Sequence, residues 1–295
     1  MKQFKQIAIP EGKSRLANDL DRIQPYSAAE IITYDTNPDS ECELLERVRA
    51  ADCIIIGSYS KLDGAIIRQC PSLEYIGLAA TLFTGQGANI DLEAAAERKI
   101  AVTGVSDYGD YGVVDFVVSE TIRYLKYGTR NRELRGQPVG IIGAGTVGSL
   151  VAKSLKVLGA EVSYYSRSSR PDLERDGIHY APLHTLLQRV SILSVHVPRN
   201  TQVLGKEELD MLTDGTLLFN TSVGLPIEPE AMRKWLNNPR NVFVADRDGI
   251  GYLEEEYTNF PNITFYPRSS GFTEEAERRL ADKVEQNLKA FLTGK

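Results

Sequence analysis

The stretch VGIIGAGTVGSLVAKSLKVLGAEVSYYSRSSR, residues 139–170, joins an apolar run to a glycine-rich turn and a longer amphipathic segment. Gly143, Gly145 and Gly148 have the G-x-G-x-x-G spacing that ends a strand and opens a helix in a βαβ unit. There the first glycine makes the tight turn, the second lets the backbone approach a pyrophosphate, and the third packs helix on strand. The helix N-terminus adds free N–H groups and a partial positive charge. The stretch therefore predicts a dinucleotide-binding unit; the alternative is a glycine turn that binds nothing.

The end of the second strand of this unit indicates which dinucleotide is bound. NAD-preferring sites place an acidic residue there for the ribose 2′-hydroxyl, but residues 165–170 contain no carboxylate. They contain Ser166, Arg167, Ser168 and Arg170. Because arginine binds phosphate through a bidentate fork and serine adds neutral donors, the pattern favours the 2′-phosphate of NADP, as NADPH. The alternative is that Arg167 and Arg170 are solvated loop charges.

Short apolar runs alternate with longer amphipathic segments along the whole chain, which is the pattern of parallel sheets with crossover helices. The fold class is therefore α/β. The first series has predicted strands at 7–9, 31–34, 54–57, 75–78 and 101–103, with helices at 42–50, 64–69 and 92–98. The second series has predicted strands at 139–142, 162–165, 192–195, 216–220, 242–246 and 263–266. Six strands make a complete doubly wound unit.

Two longer helices are expected outside these series. One covers residues 112–126, and a polar linker at 127–137 follows it. Its predicted apolar face consists of Val114, Val117, Val118, Thr121, Ile122 and Leu125. The other closes the chain, with Thr273 as its expected N-cap and two glutamates in its first turn.

Composition excludes several classes of partner. The 295 residues carry a net charge of −6 and the pI is near 5.3, so no basic surface for nucleic acid or anionic membranes is expected. A small-molecule substrate is expected instead. The N-terminus lacks a signal peptide's apolar core and no apolar run approaches the roughly 20 residues of a membrane span, which favours a cytoplasmic protein. Cys42, Cys53 and Cys70 predict reduced, mostly buried thiols, and no metal site is predicted.

Several sequence blocks occur in a recognisable order. They are GANIDLEAAAERKIAVTGV at 87–105, VVDFVVSETIRYL at 113–125, SILSVHVPRNT at 191–201, LLFNTSVG at 217–224, VFVADRDG at 242–249 and FYPRSSGFTEEA at 265–276. With the glycine turn among them, this order resembles the D-isomer-specific 2-hydroxyacid dehydrogenase family over nearly the whole chain. Asp115 lies where that family usually has glutamate or glutamine.

The resemblance implies two doubly wound domains, with a Rossmann-type coenzyme domain inserted into a flavodoxin-like substrate domain. Residues 1–106 and 272–295 would form the substrate domain. Residues 107–271 would form the NADP-binding domain with its leading interdomain helix. The substrate would lie in the cleft between them, and a homodimer would form around the coenzyme domains.

The resemblance also implies which residues contact the ligands. The expected cofactor contacts are Gly143, Gly145, Thr146, Val147, Gly148, Ser166, Arg167, Ser168, Val197, Pro198, Thr201, Thr221 and Asp246. The loop at 80–87 would touch the substrate through its backbone N–H groups, and Tyr108 would lie near the cleft.

The catalytic positions depart from the family pattern. The family uses a histidine, oriented by a glutamate, to protonate the forming alkoxide, and an arginine to bind the substrate carboxylate. In this chain the arginine position falls on Val223, the histidine position on Arg268, and the glutamate position near Gly251. A glutamate at 254–256 would replace the last only if the loop has shifted.

These departures change the chemistry available to the site. A guanidinium has a pKa of roughly 12 or more and is a poor general acid, but it can bind an anion in a fork or stabilise charge developing on oxygen. Arg268 is therefore a candidate for the anchoring role that Val223 cannot perform. The candidate proton donors are Tyr108, Tyr111, Asp107, Asp110, His196 and water. Of these, Tyr108 and Tyr111 could instead form a hinge turn, and His196 could be structural, while His179 and His184 lie outside catalysis.

Three functional hypotheses follow. The first is an NADPH-dependent reductase with a non-standard active site, in which Arg268, Tyr108 and His196 are the candidate catalytic residues. Its acceptor could be a keto acid, an imine or a conjugated C=C bond. The second is a catalytically silent NADP(H)-binding pseudoenzyme with a regulatory or scaffold role. The third is a non-redox enzyme that uses the nucleotide structurally.

Overall fold

The computed structural model describes residues 2–12, 16–82, 88–128, 131–199 and 201–294. The chain divides into two compact units. The first unit is Met1–Tyr108 with Glu274–Lys295, and the second unit is Gly109–Thr273. Each contains a parallel sheet with helices, so the α/β fold class and the insertion of one domain into the other are confirmed. The predicted domain divisions, 106/107 and 271/272, each differ by two residues from these bounds.

The first unit contains a five-stranded parallel sheet in the order β2-β1-β3-β4-β5. Its strands are β1 (Ile7–Ile9), β2 (Ile32–Thr33), β3 (Cys53–Ile56), β4 (Tyr75–Leu78) and β5 (Ala101–Thr103). Its helices are α1 (Leu20–Ile23), α2 (Glu41–Val48), α3 (Gly64–Arg68), α4 (Leu92–Glu97) and α11 (Glu274–Thr293). Short 3₁₀ helices, Ala17–Asp19 and Gln24–Tyr26, flank α1. This strand order is the flavodoxin-like one.

Helices cover both faces of this sheet because successive side chains of a strand point to opposite faces. Ile54 and Ile56 of β3 pack in one apolar cluster with α2, α3 and α4. Cys53 and Ile55 pack in another with α11. All four residues of β3 are buried, as expected for a central strand of a parallel sheet.

The second unit contains a seven-stranded parallel sheet in the order β12-β11-β10-β9-β6-β7-β8. Its strands are β6 (Pro138–Ile142), β7 (Glu161–Tyr165), β8 (His179–Tyr180), β9 (Ile192–Val195), β10 (Leu217–Asn220), β11 (Val242–Asp246) and β12 (Ile263–Tyr266). Its helices are α5 (Asp110–Tyr127), α6 (Thr146–Val157), α7 (Pro171–Arg175), α8 (Leu183–Leu187), α9 (Lys206–Met211) and α10 (Pro229–Leu236). Two 3₁₀ helices, Gly251–Leu253 and Tyr257–Asn259, follow β11.

This sheet differs from the predicted six strands by one edge strand, β8. That strand has two residues, both exposed, so it lacks the apolar run on which strand prediction depends. Helix α5 also differs from expectation, because Ile122 is 43% exposed rather than part of the apolar face. Val114, Val117, Thr121 and Leu125 do face the core.

Two further features bear on the sequence predictions. In the described ranges, no helix is both long and apolar enough to cross a membrane. Cys53 and Cys70 are buried free thiols, and burial raises the pKa of both, whereas Cys42 is exposed.

Candidate functional site

The glycine turn lies where the strand order of the second unit reverses, between β6 and β9. Open α/β sheets bind ligands outside the carboxyl ends of their strands at such a point. Gly143 has a φ of +92°, and a Cβ on it would lie 2.0 Å from the carbonyl oxygen of His196. A Cβ on Gly148 would lie 2.0 Å from the carbonyl oxygen of Gly143. Any side chain is therefore excluded at both positions by backbone atoms.

Gly145 is a glycine for a different reason. A Cβ there would meet no described heavy atom within 4 Å, and its φ of −74° is one that any residue adopts. The space above Gly145 is open toward the first turn of α6, where the N–H groups of Thr146 and Val147 have no intrahelical acceptor. This open cradle with unused donors fits the pyrophosphate of a dinucleotide.

Arg167 and Arg170, the two arginines expected to bind phosphate, have different environments in the segment after β7. The guanidinium of Arg170 donates to the carbonyl oxygen of Ala144 in the glycine turn and to Asp172 Oδ1 at 3.2 Å. The guanidinium of Arg170 is therefore held by oxygen atoms of the protein itself. Arg167 and Ser168 are exposed, and Arg167 has no side-chain partner among the described residues. Ser166 Oγ donates to the carbonyl oxygen of Ser168 and shapes this turn.

His196 lies directly beneath the glycine turn with both ring nitrogens engaged. Nε2 is 2.8 Å from Ser194 Oγ, and Nδ1 is 3.4 Å from Thr221 Oγ1. Burial lowers the pKa of His196 to about 4, so the ring is neutral near pH 7. A neutral imidazole whose two ring nitrogens both have hydrogen-bond partners is a poor proton donor. This geometry favours a structural role for His196 over the catalytic role considered from the sequence.

Asn220 and Ser222 fix the loops around His196, and sequence reasoning missed both. Ser222 Oγ donates to the carbonyl oxygen of Val195 at 3.1 Å and accepts the N–H of Val197 at 3.0 Å. Asn220 Nδ2 donates to the carbonyl oxygens of Gly224 and Gly249 at 2.9 and 2.7 Å. The available signal was polar residues at the end of an otherwise apolar buried strand.

A cavity of about 260 Å³ opens beside these loops, at the carboxyl ends of β9 and β10. It contains two predicted cofactor contacts, Pro198 and Thr201, and it also contains Val223. Its described lining residues are Pro198, Thr201, Gln202, Ser222, Val223, Gly224, Leu225 and Pro226. None of these carries a charge, and Val223 is 38% exposed. The position that the resemblance assigns to a carboxylate-binding arginine is therefore an uncharged wall.

Asp246, one of the expected cofactor contacts, is buried and holds two loops through its carboxylate. Only 1% of the residue is exposed. Oδ2 accepts the N–H and the hydroxyl of Ser270 at 2.8 and 2.6 Å, and Oδ1 accepts the N–H of Gly249 at 2.8 Å. Burial raises the pKa of Asp246, while the bonds from Ser270 oppose that rise. The carboxylate holds the PRSSG segment, residues 267–271, against the turn after β11.

Arg268 lies on this clamped segment. The residue is exposed, and its guanidinium has no partner among the described residues, while its carbonyl oxygen accepts the N–H of Arg247 at 3.5 Å. Arg268 follows the carboxyl end of β12, so it lies on the same edge of the parallel sheet as the glycine turn. A fixed backbone thus presents a positive charge on the cofactor side of the sheet.

The glutamates considered as replacements have two different environments in the structure. Glu256 makes a bidentate contact with Arg233 of α10, at 3.0 Å to Nε and 2.7 Å to Nη2. Glu254 and Glu255 are exposed. Gly251 begins a 3₁₀ helix with a φ of +55°.

The remaining candidates lie at residues 107–111, where the first unit ends and α5 of the second unit begins, and in a loop of the first unit. The ring of Tyr108 packs against the apolar cluster of that unit, and its carbonyl oxygen accepts Arg279 Nε at 2.8 Å. Tyr111 is 58% exposed, and Asp107 has a φ of +57°. Within the loop predicted to contact substrate, residues 83–87 lie outside the described residues.

His179 and His184 are exposed side chains of the second unit. His179 Nδ1 lies 3.1 Å from Glu174 Oε2, and His184 Nε2 lies 3.7 Å from Glu208 Oε1. Both are surface ion-pair candidates away from the glycine turn. In the described part of the chain, no group of three or more His, Cys, Asp or Glu residues could hold a metal ion.

Comparisons with known proteins agree with this geometry. The family model of the D-isomer specific 2-hydroxyacid dehydrogenase NAD binding domain matches residues 118–248. A glyoxylate reductase of Thermococcus litoralis is 28% identical over 283 aligned residues, covering 85% of this chain and 83% of that protein. The apo-structure of D-lactate dehydrogenase from Escherichia coli has a TM-score of 0.83 at 20% identity, covering 98% of each chain. An acyclic imino acid reductase in complex with NADPH and D-Arg has a TM-score of 0.79 at 20% identity, again covering 98% of each chain.

Proposed function

The chain belongs to the D-isomer-specific 2-hydroxyacid dehydrogenase family and is an NAD(P)-dependent oxidoreductase, and from this premise we propose that it is an NADPH-dependent reductase of a small anionic substrate. Arg268 binds the substrate anion in this proposal, in place of an arginine at position 223. The observation that carries it is Arg268, which is exposed, has no side-chain partner among the described residues and lies on the same sheet edge as an intact glycine turn. Val223, at the position that the resemblance assigns to an arginine, lines a cavity whose described lining residues are uncharged.

Cofactor choice rests on Arg167. Its exposed guanidinium follows β7 with no carboxylate in residues 165–170, and it has no competing partner in the described ranges. Because Arg170 is held by Ala144 and Asp172, the 2′-phosphate would depend on Arg167 with Ser166 and Ser168. Charge-assisted bonds to a phosphate are lost with NADH, so NADPH binds more tightly in this proposal.

The chain's own residues divide the remaining work. The bound nicotinamide supplies hydride. Gly145 and the first turn of α6 would hold the pyrophosphate of the dinucleotide. His196 and Ser222 fix the loops at the carboxyl ends of β9 and β10. Arg268 orients the substrate anion and stabilises charge that develops on the reacting group. The proton comes from a donor other than Arg268 and His196, which leaves the tyrosines and aspartates of residues 107–111 and water as candidates.

The acceptor is a 2-keto acid or the corresponding imine. A carbonyl oxygen that becomes an alkoxide needs a proton donor in the transition state, whereas a protonated imine accepts hydride directly, so an imine suits a site without a good acid. The acyclic imino acid reductase shows that this fold accommodates such an acceptor. The glyoxylate reductases among the relatives favour the keto acid.

We also propose a homodimer built around the second unit. Exposed apolar side chains on α5 and α6 support it, namely Ile122, Tyr127 and Val157, which are 43%, 82% and 86% exposed. Removing such apolar surface from water favours association. Sedimentation equilibrium tests it, and a mass of one chain at micromolar concentration would contradict it.

Turnover of the wild-type protein tests the proposed function. NADPH oxidation is followed with panels of 2-keto acids, 2-imino acids and conjugated enoates, in parallel with NADH, and cofactor affinity is measured by fluorescence titration. We expect substrate-dependent oxidation of NADPH, and a preference over NADH that falls at least about 10-fold in Arg167→Ala. Tight NADPH binding without turnover on any panel member would instead establish the pseudoenzyme. Tighter binding of NADH than of NADPH would refute the cofactor assignment.

A further inference from the structure

The turn after β3 in the first unit is closed around a carboxylate of the chain itself. Glu11, two residues beyond β1, is only 7% exposed. Its Oε2 accepts the N–H of Gly57 at 2.7 Å, and its Oε1 accepts the N–H groups of Ser60 and Tyr59 at 2.6 and 3.1 Å. Three backbone donors that converge on one negative group form an anion-binding nest.

The nest lies at the carboxyl ends of β1 and β3. The strand order β2-β1-β3-β4-β5 reverses between β1 and β3, and ligands of open α/β sheets bind outside the carboxyl ends of strands at such a reversal. Glu11 and Gly57 follow those two carboxyl ends. We propose that Glu11 is a built-in anion that fills the ligand position of the first sheet and acts as a positioning residue for the segment around Asn89.

The same turn connects the nest to that segment. While its N–H groups bind Glu11, its carbonyl oxygens at Ser58 and Ser60 accept Asn89 Nδ2 at 2.9 and 3.1 Å. The carbonyl oxygen of Asn89 in turn accepts the N–H of Leu62 at 2.8 Å. Asn89 lies two residues after the loop at 80–87 that the resemblance assigns to substrate. The carboxylate therefore holds a turn that holds the base of this loop.

Gly57 provides an independent sign that the turn is built around the carboxylate. A Cβ on Gly57 would lie 2.4 Å from Glu11 Oε2, which is closer than van der Waals contact permits. An alanine there would occupy the carboxylate's position. The absence of a side chain at Gly57 therefore leaves the space that the carboxylate of Glu11 occupies.

Asp52 offers a matched control in the same sheet. It is 6% exposed, and its carboxylate accepts the N–H groups of Lys5 and Gln6 at 2.7 and 3.0 Å. It precedes β3, so it lies at the amino edge of the strand, opposite Glu11. The two carboxylates have similar burial and backbone donors but lie at opposite ends of β3.

Hydrogen exchange of the apo protein tests the nest without reference to catalysis. In Glu11→Ala we expect amide protection to fall at residues 57–62 and 89–91, and to return saturably with added formate but not with chloride at equal ionic strength. Asp52→Ala should leave both segments protected. Should Glu11→Ala fail to fold, Glu11→Gln keeps the shape but turns an acceptor toward a donor, and the same two segments should lose protection. Unchanged protection in the folded variant, or loss that formate does not reverse, would overturn the proposal.

Gly57→Ala separates an anion site from a general packing defect. The added Cβ fills the position that formate would need, so the same segments should lose protection with no response to formate. Recovery of protection by formate in Gly57→Ala would contradict the assigned geometry.

The kinetic consequence rests on the proposed function. In Glu11→Ala the KM for substrate should rise at least about 10-fold and recover with formate, whereas the NADPH dissociation constant stays at the wild-type value because the glycine turn belongs to the second unit. Asp52→Ala should keep the wild-type KM. A KM that is unchanged in Glu11→Ala, or raised equally in Asp52→Ala, would refute the positioning role. If the wild type turns over no substrate, the proposed function fails and the exchange measurement still decides the nest.

Discussion

At the scale of single residues, His196 shows how burial converts a titratable group into a fixed hydrogen-bonding element. Its Nε2 and Nδ1 face Ser194 and Thr221, and burial disfavours the charged ring. The unfolded chain has no such constraint, so its histidine binds a proton near the ordinary pKa of 6.5. Between about pH 6.5 and 4 the unfolded state therefore binds one more proton at this position than the folded state does.

This difference predicts the pH dependence of stability. Because the excess proton is on the unfolded side, the His196 contribution is neutral above pH 6.5 and becomes destabilising as the pH falls, reaching at most about 3 kcal/mol near pH 4. Urea unfolding at a series of pH values should show a weaker loss of stability between pH 6.5 and 4 in His196→Gln than in wild type. His184→Gln, in an exposed side chain, controls for loss of a histidine as such. Equal acid sensitivity in wild type and His196→Gln would contradict the assignment.

Some residues of the candidate site could be predicted from the sequence, and others could not. The glycine spacing located Gly143 and Gly148, where backbone atoms exclude a side chain, and Gly145, where the space is open. The contact of Asp246 with Ser270 could not be found in this way, because Ser270 follows a different strand and only the folded sheet brings the two residues together.

At the scale of elements, the glycine motif that joins β6 to α6 contains two kinds of glycine, one in the turn and one in the helix. Gly148 permits close packing of α6, since a Cβ would lie 2.0 Å from the oxygen of Gly143. Gly145 leaves room for a ligand, since a Cβ would meet no described atom within 4 Å. Stability and cofactor binding should therefore separate between substitutions at the two positions.

Alanine substitutions test this separation. Gly145→Ala should cost about 0.5–1 kcal/mol in the free energy of unfolding because alanine is a poorer N-cap than glycine, yet weaken NADPH binding at least about 30-fold. Gly148→Ala should destabilise the fold by about 1–3 kcal/mol because backbone must move. Thermal unfolding with and without NADPH measures both effects. A Gly145→Ala protein that binds NADPH like wild type would show that the open space is not the pyrophosphate site.

Element prediction succeeded for most of the buried strands. Strands β1, β4, β5, β9, β11 and β12 have the bounds expected from sequence. Helix starts carried signals that went unused, because Ser40, Asp63 and Asp91 each accept an N–H bond from the first turn of α2, α3 and α4. The two-residue β8 has no comparable signal, since its exposed residues pair only with the edge of β7.

At the scale of the whole molecule, the order of motifs was more informative than any single motif. It indicated an inserted coenzyme domain, and the chain does divide into a discontinuous first unit and a continuous second one. It also directed attention to Val223 and Arg268, which composition and periodicity alone would treat as surface residues. The clamp from Asp246 to Ser270, which fixes the backbone beside Arg268, follows from tertiary contacts alone.

The central claim is that the anion-binding charge of the active site resides on Arg268. The measurement that tests it most directly is kcat/KM for the best anionic substrate in wild type, Arg268→Ala and Arg268→Lys, with Arg240→Ala as a control at the opposite edge of the same sheet. We predict a loss of at least about 100-fold in Arg268→Ala, a smaller loss in Arg268→Lys because the point charge remains without the fork, and wild-type values in Arg240→Ala. A wild-type kcat/KM in Arg268→Ala would contradict the account.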